Sequence, residues 1–416
     1  MSATVAIIGT CDTKLEELIY LRDEVRKHNK NVGTLLVDVG RHDTKHEAID
    51  IPRSHIVSHY DRELDSAEMS RAEYLKAMSL AASEALRDLH SQGRFSGIVS
   101  AGGSCGTSLA AAVMRSLPIG MPKMMVSTMA SGDTGPIIGE SDIALMYSVV
   151  DIAGLNYVLR DVLGNAGASI AGATLSYVER RERSADGSEK SGKKRVAITM
   201  FGVTTPGVTA IREYLESRYP VEVLVFHATG HGGRAMERLI RDGKIDAVID
   251  LTTTETCDLI MGGIMSAGPE RLDAALSAGI PCIVSLGALD TANFGPKASM
   301  PSEYSGRTQV EHNSLTTLVR SSPEDCEAIA QFMGRKLRGA ACPHLTQLWL
   351  PRGGVSALSE PGGPFHDEEA DGMLCDTLRA QLRGTAITVI EDEASINDPA
   401  FATRVAQAMV KLMGLS

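Results

Sequence analysis

Short apolar runs alternate with helix-patterned runs from residue 5 to residue 413 of this chain, and that rhythm leaves few folds open. In the first half the strand-like runs fall at 5–9, 31–37, 95–100, 123–129 and 144–150. Helical spacing falls at 14–27, 71–90, 107–117 and 155–179. In the first of these, Leu15, Leu18, Ile19, Leu21 and Val25 make one apolar face. The second half repeats the pattern, with strands at 196–201, 221–227, 245–251, 281–286, 345–350 and 386–391. Its helices fall at 206–217, 234–242, 271–278, 323–337 and 367–382. A last helix has Asp398 as N-cap and Pro399 at its first position. A strand that returns to its sheet through a helix lies parallel to its predecessor, and right-handed crossovers place helices on both faces. The chain is therefore expected to be α/β, with two tandem Rossmann-like domains on mainly parallel sheets.

The boundary is expected where the rhythm lapses. Residues 180–194 contain one Ala and no larger apolar residue. We read 1–182 as an N-terminal nucleotide-binding domain, 183–194 as a linker and 195–416 as a C-terminal domain. The formal charge of −11 argues against nucleic acid or an anionic membrane surface as partner. No apolar run is long enough to span a bilayer, and the first ten residues lack the basic start of a signal peptide. Seven dispersed cysteines without a C-x-x-C pair fit reduced thiols in a cytoplasm.

In open parallel sheets, ligands bind beyond the carboxyl ends of the strands. The residues at those ends are the candidates. After the first strand come Gly9, Thr10, Asp12, Thr13 and Lys14, a carboxylate, hydroxyls and an ammonium suited to a nucleotide or its Mg2+. The alternative there is an N-cap beside an exposed Lys. Asp38 ends the second strand, where nucleotide folds place a ribose-binding acid. Gly102, Gly103, Ser104, Gly106 and Thr107 turn the third strand into a helix, as a phosphate cradle does. Tight strand–helix packing explains the same glycines. The turn is neither a Walker A loop nor a G-x-G-x-x-G fingerprint. Ser131, Gly132 and Thr134 follow the fourth strand. In the second half, His227, Glu255 and Asp290 end strands as a looser catalytic set.

Taken in order, these blocks resemble one family. They are residues 9–14, 102–107, 131–135, 201–206, 226–230, 250–255, 266–269 and 287–290, with 350–351, 362–365 and 368–371 further on. The family is the ATP-binding domain family of the tomato mosaic virus resistance protein, and the likeness covers nearly the whole chain. Cys105 stands where the commoner form of the turn has Gly. The resemblance implies two Rossmann-like domains, ATP as ligand with or without Mg2+, and a homodimer. It does not carry over a virus-inhibiting role. The expectation is a cytoplasmic ATP-binding protein acting on a small molecule between its domains. Two alternatives remain open: a nucleotide-binding regulatory subunit without turnover, and a hydrolase or lyase whose glycine turn binds a phosphorylated or carboxylate metabolite.

Overall fold

The computed structural model describes residues 3–28, 30–59, 69–185 and 192–415. The chain divides into two compact units, Met1–Lys190 and Ser191–Ser416.

In the first unit, β1 (Thr4–Gly9), β2 (Gly33–Asp38), β3 (Gly97–Gly102), β4 (Lys123–Ser127) and β5 (Ala144–Tyr147) form a sheet in the order β2-β1-β3-β4-β5. Every pairing is parallel. Its helices are α1 (Cys11–His28), α2 (Arg53–Val57), α3 (Arg71–Ser91), α4 (Ser104–Ser116), α5 (Gly135–Ile138) and α6 (Tyr157–Ala185). Side chains of β1 alternate between two cores. Ala6 and Ile8 pack with Met78 and Leu86 of α3 and Val113 and Met114 of α4. Val5 and Ile7 pack with Leu18 and Leu21 of α1 and Leu159 and Leu163 of α6. Burial on both faces is why the strand reads as an unbroken apolar run.

Several expected boundaries move by two or more residues, and those of the first and last helices of this unit have a visible cause. The first helix begins at Cys11, not at residue 14, and its backbone leaves helical angles at Lys14 (φ −139°, ψ 27°). There the Thr10 carbonyl accepts from the N–H groups of both Thr13 and Lys14. The helix expected to stop at residue 179 runs on to Ala185. Arg and Glu favour helix without needing a buried face, so charge content alone does not mark its end. Residues 186–191 of the expected linker lie outside the described residues.

The second unit repeats the winding. Its strands β6 (Lys194–Met200), β7 (Val221–His227), β8 (Ala247–Thr252) and β9 (Cys282–Gly287) continue the strand–helix alternation. Between them lie α7 (Thr205–Arg218), α8 (His231–Arg241), α9 (Thr254–Met261) and α10 (Asp273–Ala278). An insertion follows, β10 (Thr291–Phe294), β11 (Gln309–Asn313) and β12 (Thr316–Arg320), paired antiparallel as β10-β12-β11. Then come α11 (Pro323–Arg338), β13 (Thr346–Pro351), α12 (Glu368–Gln381), β14 (Thr388–Asp392) and α13 (Pro399–Leu412). The main sheet runs β14-β13-β9-β8-β6-β7, all parallel. Read from β7, it is the first unit's order with one strand added. The small antiparallel sheet had no place in the βα reading, because strands of four or five residues carry too few alternations to be seen.

Candidate functional site

In the first unit the chain winds outward in both directions from the β1–β3 pair, so the loops leaving these strands part and open a crevice. A cavity of about 710 Å3 lies there, mid-range for a small-molecule site. One wall is the start of α4. Gly103 is its N-cap and has no side chain to close the first turn. Gly103, Ser104, Cys105 and Gly106 all line the cavity, so the helix start, with its amides and positive dipole end, forms that wall. A Cβ added at Gly103 would meet nothing nearer than Thr128 Oγ1 at 3.9 Å, and one at Gly106 would meet nothing within 4 Å. These two glycines leave room at the helix start rather than relieving a clash.

The opposite wall comes from the β1 loop. Thr10, Asp12, Thr13 and Lys14 line it. The Thr10 and Thr13 hydroxyls lie 2.9 Å apart. Lys14 Nζ donates to the Ile152 carbonyl at 2.6 Å, which anchors the ammonium at the rim. Asp12 Oδ2 accepts from the N–H groups of Arg41 (2.9 Å) and His42 (3.1 Å), holding the loop after β2 against the cavity. Asp12 Oδ1 is buried and has no hydrogen-bond partner among the described residues. Arg71 at the start of α3 adds a second guanidinium to the lining. The Arg41 guanidinium sits 5.7 Å over the Tyr74 ring and donates to the Met69 carbonyl. Tyr74 in turn donates to the Gly40 carbonyl.

The other expected residues of this unit do not line the cavity. Asp38 is fully buried and accepts from Cys11 N–H (3.1 Å) and Gly40 N–H (2.8 Å). Burial pushes its carboxyl above the ordinary carboxylate range. It caps α1 and pins the turn after β2, and does not reach toward a ribose site. Gly9 lets Leu18 pack on β1, since an added Cβ would lie 2.7 Å from the Leu18 methyls. Gly102 lets β3 turn tightly, with Gly106 Cα 3.1 Å from an added Cβ. Thr107 is buried, its hydroxyl 2.6 Å from that of Ser127. Ser131, Gly132 and Thr134 belong to the turn before α5, outside the lining. Arg41, His42, Arg71, Tyr74, Thr128 and Asp151 also line the cavity, beyond the strand-end candidates of the sequence. Arg41 and His42 could have been found by following the chain two residues past Gly40. Arg71 and Tyr74 give no local signal.

In the second unit the expected acids face inward. Glu255 is 0 % exposed. Its Oε1 accepts from Gly230 N–H (2.7 Å) and Gly233 N–H (3.0 Å), and its Oε2 from Arg271 Nε (2.7 Å). Arg271 also binds Asp250 with both terminal nitrogens and lies 3.5 Å from Glu237. This buried cluster fixes the loop that follows His227, the last residue of β7, which is exposed and packs its ring on Phe201. Asp290 is likewise 0 % exposed, and its Oδ2 accepts from Ser356 Oγ at 2.6 Å. Neither carboxylate reaches solvent; both were expected in a catalytic set, and here each is engaged in holding a loop.

Family comparison agrees with the two-unit layout. The N-terminal domain model of an uncharacterised protein family (UPF0261) matches residues 3–179, and its C-terminal domain model matches residues 193–413. The chain belongs to the UPF0261 family. A UPF0261 protein of Clostridium tetani is 40 % identical over 418 residues, covering 99 % of this chain and all of the relative. The ToMV resistance protein Tm-1 of Solanum lycopersicum is 39 % identical over 427 residues, again 99 % of this chain but 56 % of the tomato protein. Among solved structures, a UDP-GlcNAc 2-epimerase of Neisseria meningitidis is 11 % identical and covers 68 % of this chain and 82 % of the epimerase. Its TM-score is 0.23, too low to bear on the fold.

Proposed function

We propose that this UPF0261 protein is an ATP-binding protein whose nucleotide occupies the cavity of the first unit. One observation carries the reading: the α4 start, closed by no N-cap side chain, opens onto a cavity of about 710 Å3 that Lys14, Arg41 and Arg71 also line. Triphosphate oxygens suit the α4 amides and the guanidinium groups. Val39, Leu75 and Leu109 supply apolar surface for a base. The hydroxyls of Thr10 and Thr13, both in the lining, suit a ribose hydroxyl or a water of Mg2+. Binding is better supported than phosphoryl transfer, because Lys14 is tied to Ile152 and no side chain follows the Walker pattern.

A small-molecule partner and a homodimer belong to the same proposal. β5 is an edge strand with Tyr147 exposed at its end, and Val149 and Tyr157 are exposed nearby in sequence. No described helix is long and apolar enough to cross a membrane.

Calorimetry of the full chain with ATP, ADP, AMP and sugar phosphates, each with and without Mg2+, tests the proposal. Adenine nucleotides are expected to bind and sugar phosphates not. Binding of sugar phosphates alone would move the site to a phosphorylated metabolite, and no binding at all would remove it. Native mass spectrometry tests the dimer.

A further inference from the structure

A second cavity, about 340 Å3, opens at the carboxyl ends of β13 and β14. That is the ligand-bearing edge of a parallel sheet, and the volume sits at the small end of the range for metabolite sites. The nucleotide proposal makes no use of it. Residues 350–351, 362–365 and 368–371, read above as motif blocks, lie along the segment that builds it.

The walls are held in place. The chain leaving β13 is pinned by Arg352 N–H to the Asp392 carbonyl (2.7 Å) and Gly353 N–H to the Ala394 carbonyl (3.1 Å). The loop beyond is folded on itself: Ser359 Oγ accepts from the N–H groups of Val355 and Ser356, and Ser356 Oγ binds buried Asp290. Asp290 therefore acts as the anchor of this loop. On the far wall, Asp371 in the first turn of α12 accepts from Arg320 at 2.7 Å through Oδ1. Arg320 is 5 % exposed, so it braces Asp371 from the protein side. Burial pushes the Asp371 carboxyl up to about 6, which leaves it mostly ionised at neutral pH.

The lining is mixed in charge. Arg352 stands at the end of β13, while Glu368 and Asp371 come from α12 and Glu393 follows β14. A bare anion would meet three carboxylates, and a bare amine would meet a guanidinium. A compact molecule with both charges is matched by both walls. We infer that this cavity binds a small zwitterion of the amino-acid class, with its carboxylate on Arg352 and its ammonium toward Asp371 and Glu368. The loops that carry these groups are already fixed by the bonds above, so binding has to order only the exposed Arg352 and Glu368 side chains, Glu368 lying 3.7 Å from His366 Nε2.

The test is calorimetry of the full chain against each common L-amino acid. Any that binds is followed by its decarboxylated amine and its deaminated acid. At least one amino acid is expected to bind below about 10 mM, with amine and acid each weaker by about tenfold or more. Arg352→Gln and Glu368→Gln lie at exposed positions and are expected to weaken binding by about tenfold each at an unchanged unfolding midpoint. No binding by any amino acid overturns the inference, as does an amine or acid that binds equally well, or binding that neither variant changes. These outcomes do not depend on whether the first unit binds ATP.

Discussion

Arg271 Nε donates to Glu255 Oε2 across 2.7 Å, with Arg271 1 % and Glu255 0 % exposed. The pair is the centre of a buried cluster in which one guanidinium answers three carboxylates, those of Glu237, Asp250 and Glu255. Removing the cation leaves all three without it. Arg271→Met is expected to lower stability by about 3–5 kcal/mol. Glu255→Gln, which keeps an acceptor for the Gly230 and Gly233 amides, is expected to cost about 1–3 kcal/mol. Urea unfolding of the purified variants checks both, and an unchanged midpoint for Arg271→Met would show that the cluster holds nothing.

Gly103 separates a site role from a packing role. Its φ of −76° suits any residue, and an added Cβ has free space. Gly103→Val is therefore expected to leave the melting temperature within about 2 °C of the parent. Its side chain would stand at the α4 start, and ATP affinity is expected to fall at least about a hundredfold. Unchanged affinity in calorimetry would take the α4 start out of the site.

Asp38 makes the opposite prediction. As a buried cap of α1 and of the Gly40 turn, it should be needed for stability and irrelevant to sugar recognition. Asp38→Asn is expected to destabilise by about 1–3 kcal/mol. The ratio of ATP to 2′-deoxy-ATP affinity is expected to stay as in the parent. A ratio that collapses toward one in the variant would restore Asp38 as a ribose ligand.

Asp258 predicts a pH dependence. Burial pushes its carboxyl up to about 7, despite bonds from the Asn293 backbone and side-chain amides. A carboxyl raised on folding binds its proton more tightly in the native state. Its contribution is complete below the unfolded value near 4 and is lost as pH rises through about 7. Stability is expected to fall across that window, by at most about 1.4 kcal/mol per pH unit from this group. Urea midpoints from pH 4 to 8 measure it. The fall should be shallower in Asp258→Asn, with Asp371 and Asp38, also raised by burial, supplying the remainder, and an equal fall in that variant would assign it elsewhere.

The fold was legible in the chain, because it rests on local periodicity. Runs such as 5–9 and 95–100 are apolar on both faces only if helices cover both sides, and the intervening helical spacing supplies those helices. The doubled winding was visible in part, as a second half that repeats the strand–helix rhythm of the first. Half of the site was legible for the same reason: Thr10, Asp12, Thr13, Lys14 and residues 103–106 lie directly at strand ends, and all of them line the cavity.

What the sequence could not settle was the direction in which each strand-end group faces. Asp12 and Asp38 both follow strands, yet one lines the cavity and the other caps a helix start 27 residues away. Glu255 and Asp290 carry the chemistry of catalytic acids. Arg271, 16 residues on, and Ser356, 66 residues on, draw them into the interior. Arg71 and Tyr74 reach the site from a helix that no strand-end rule would search. Periodicity is a property of neighbours in the chain and determined the architecture. Burial and pairing of a charge depend on neighbours in space, and only the tertiary structure decided which polar groups line a cavity and which hold the loops around it.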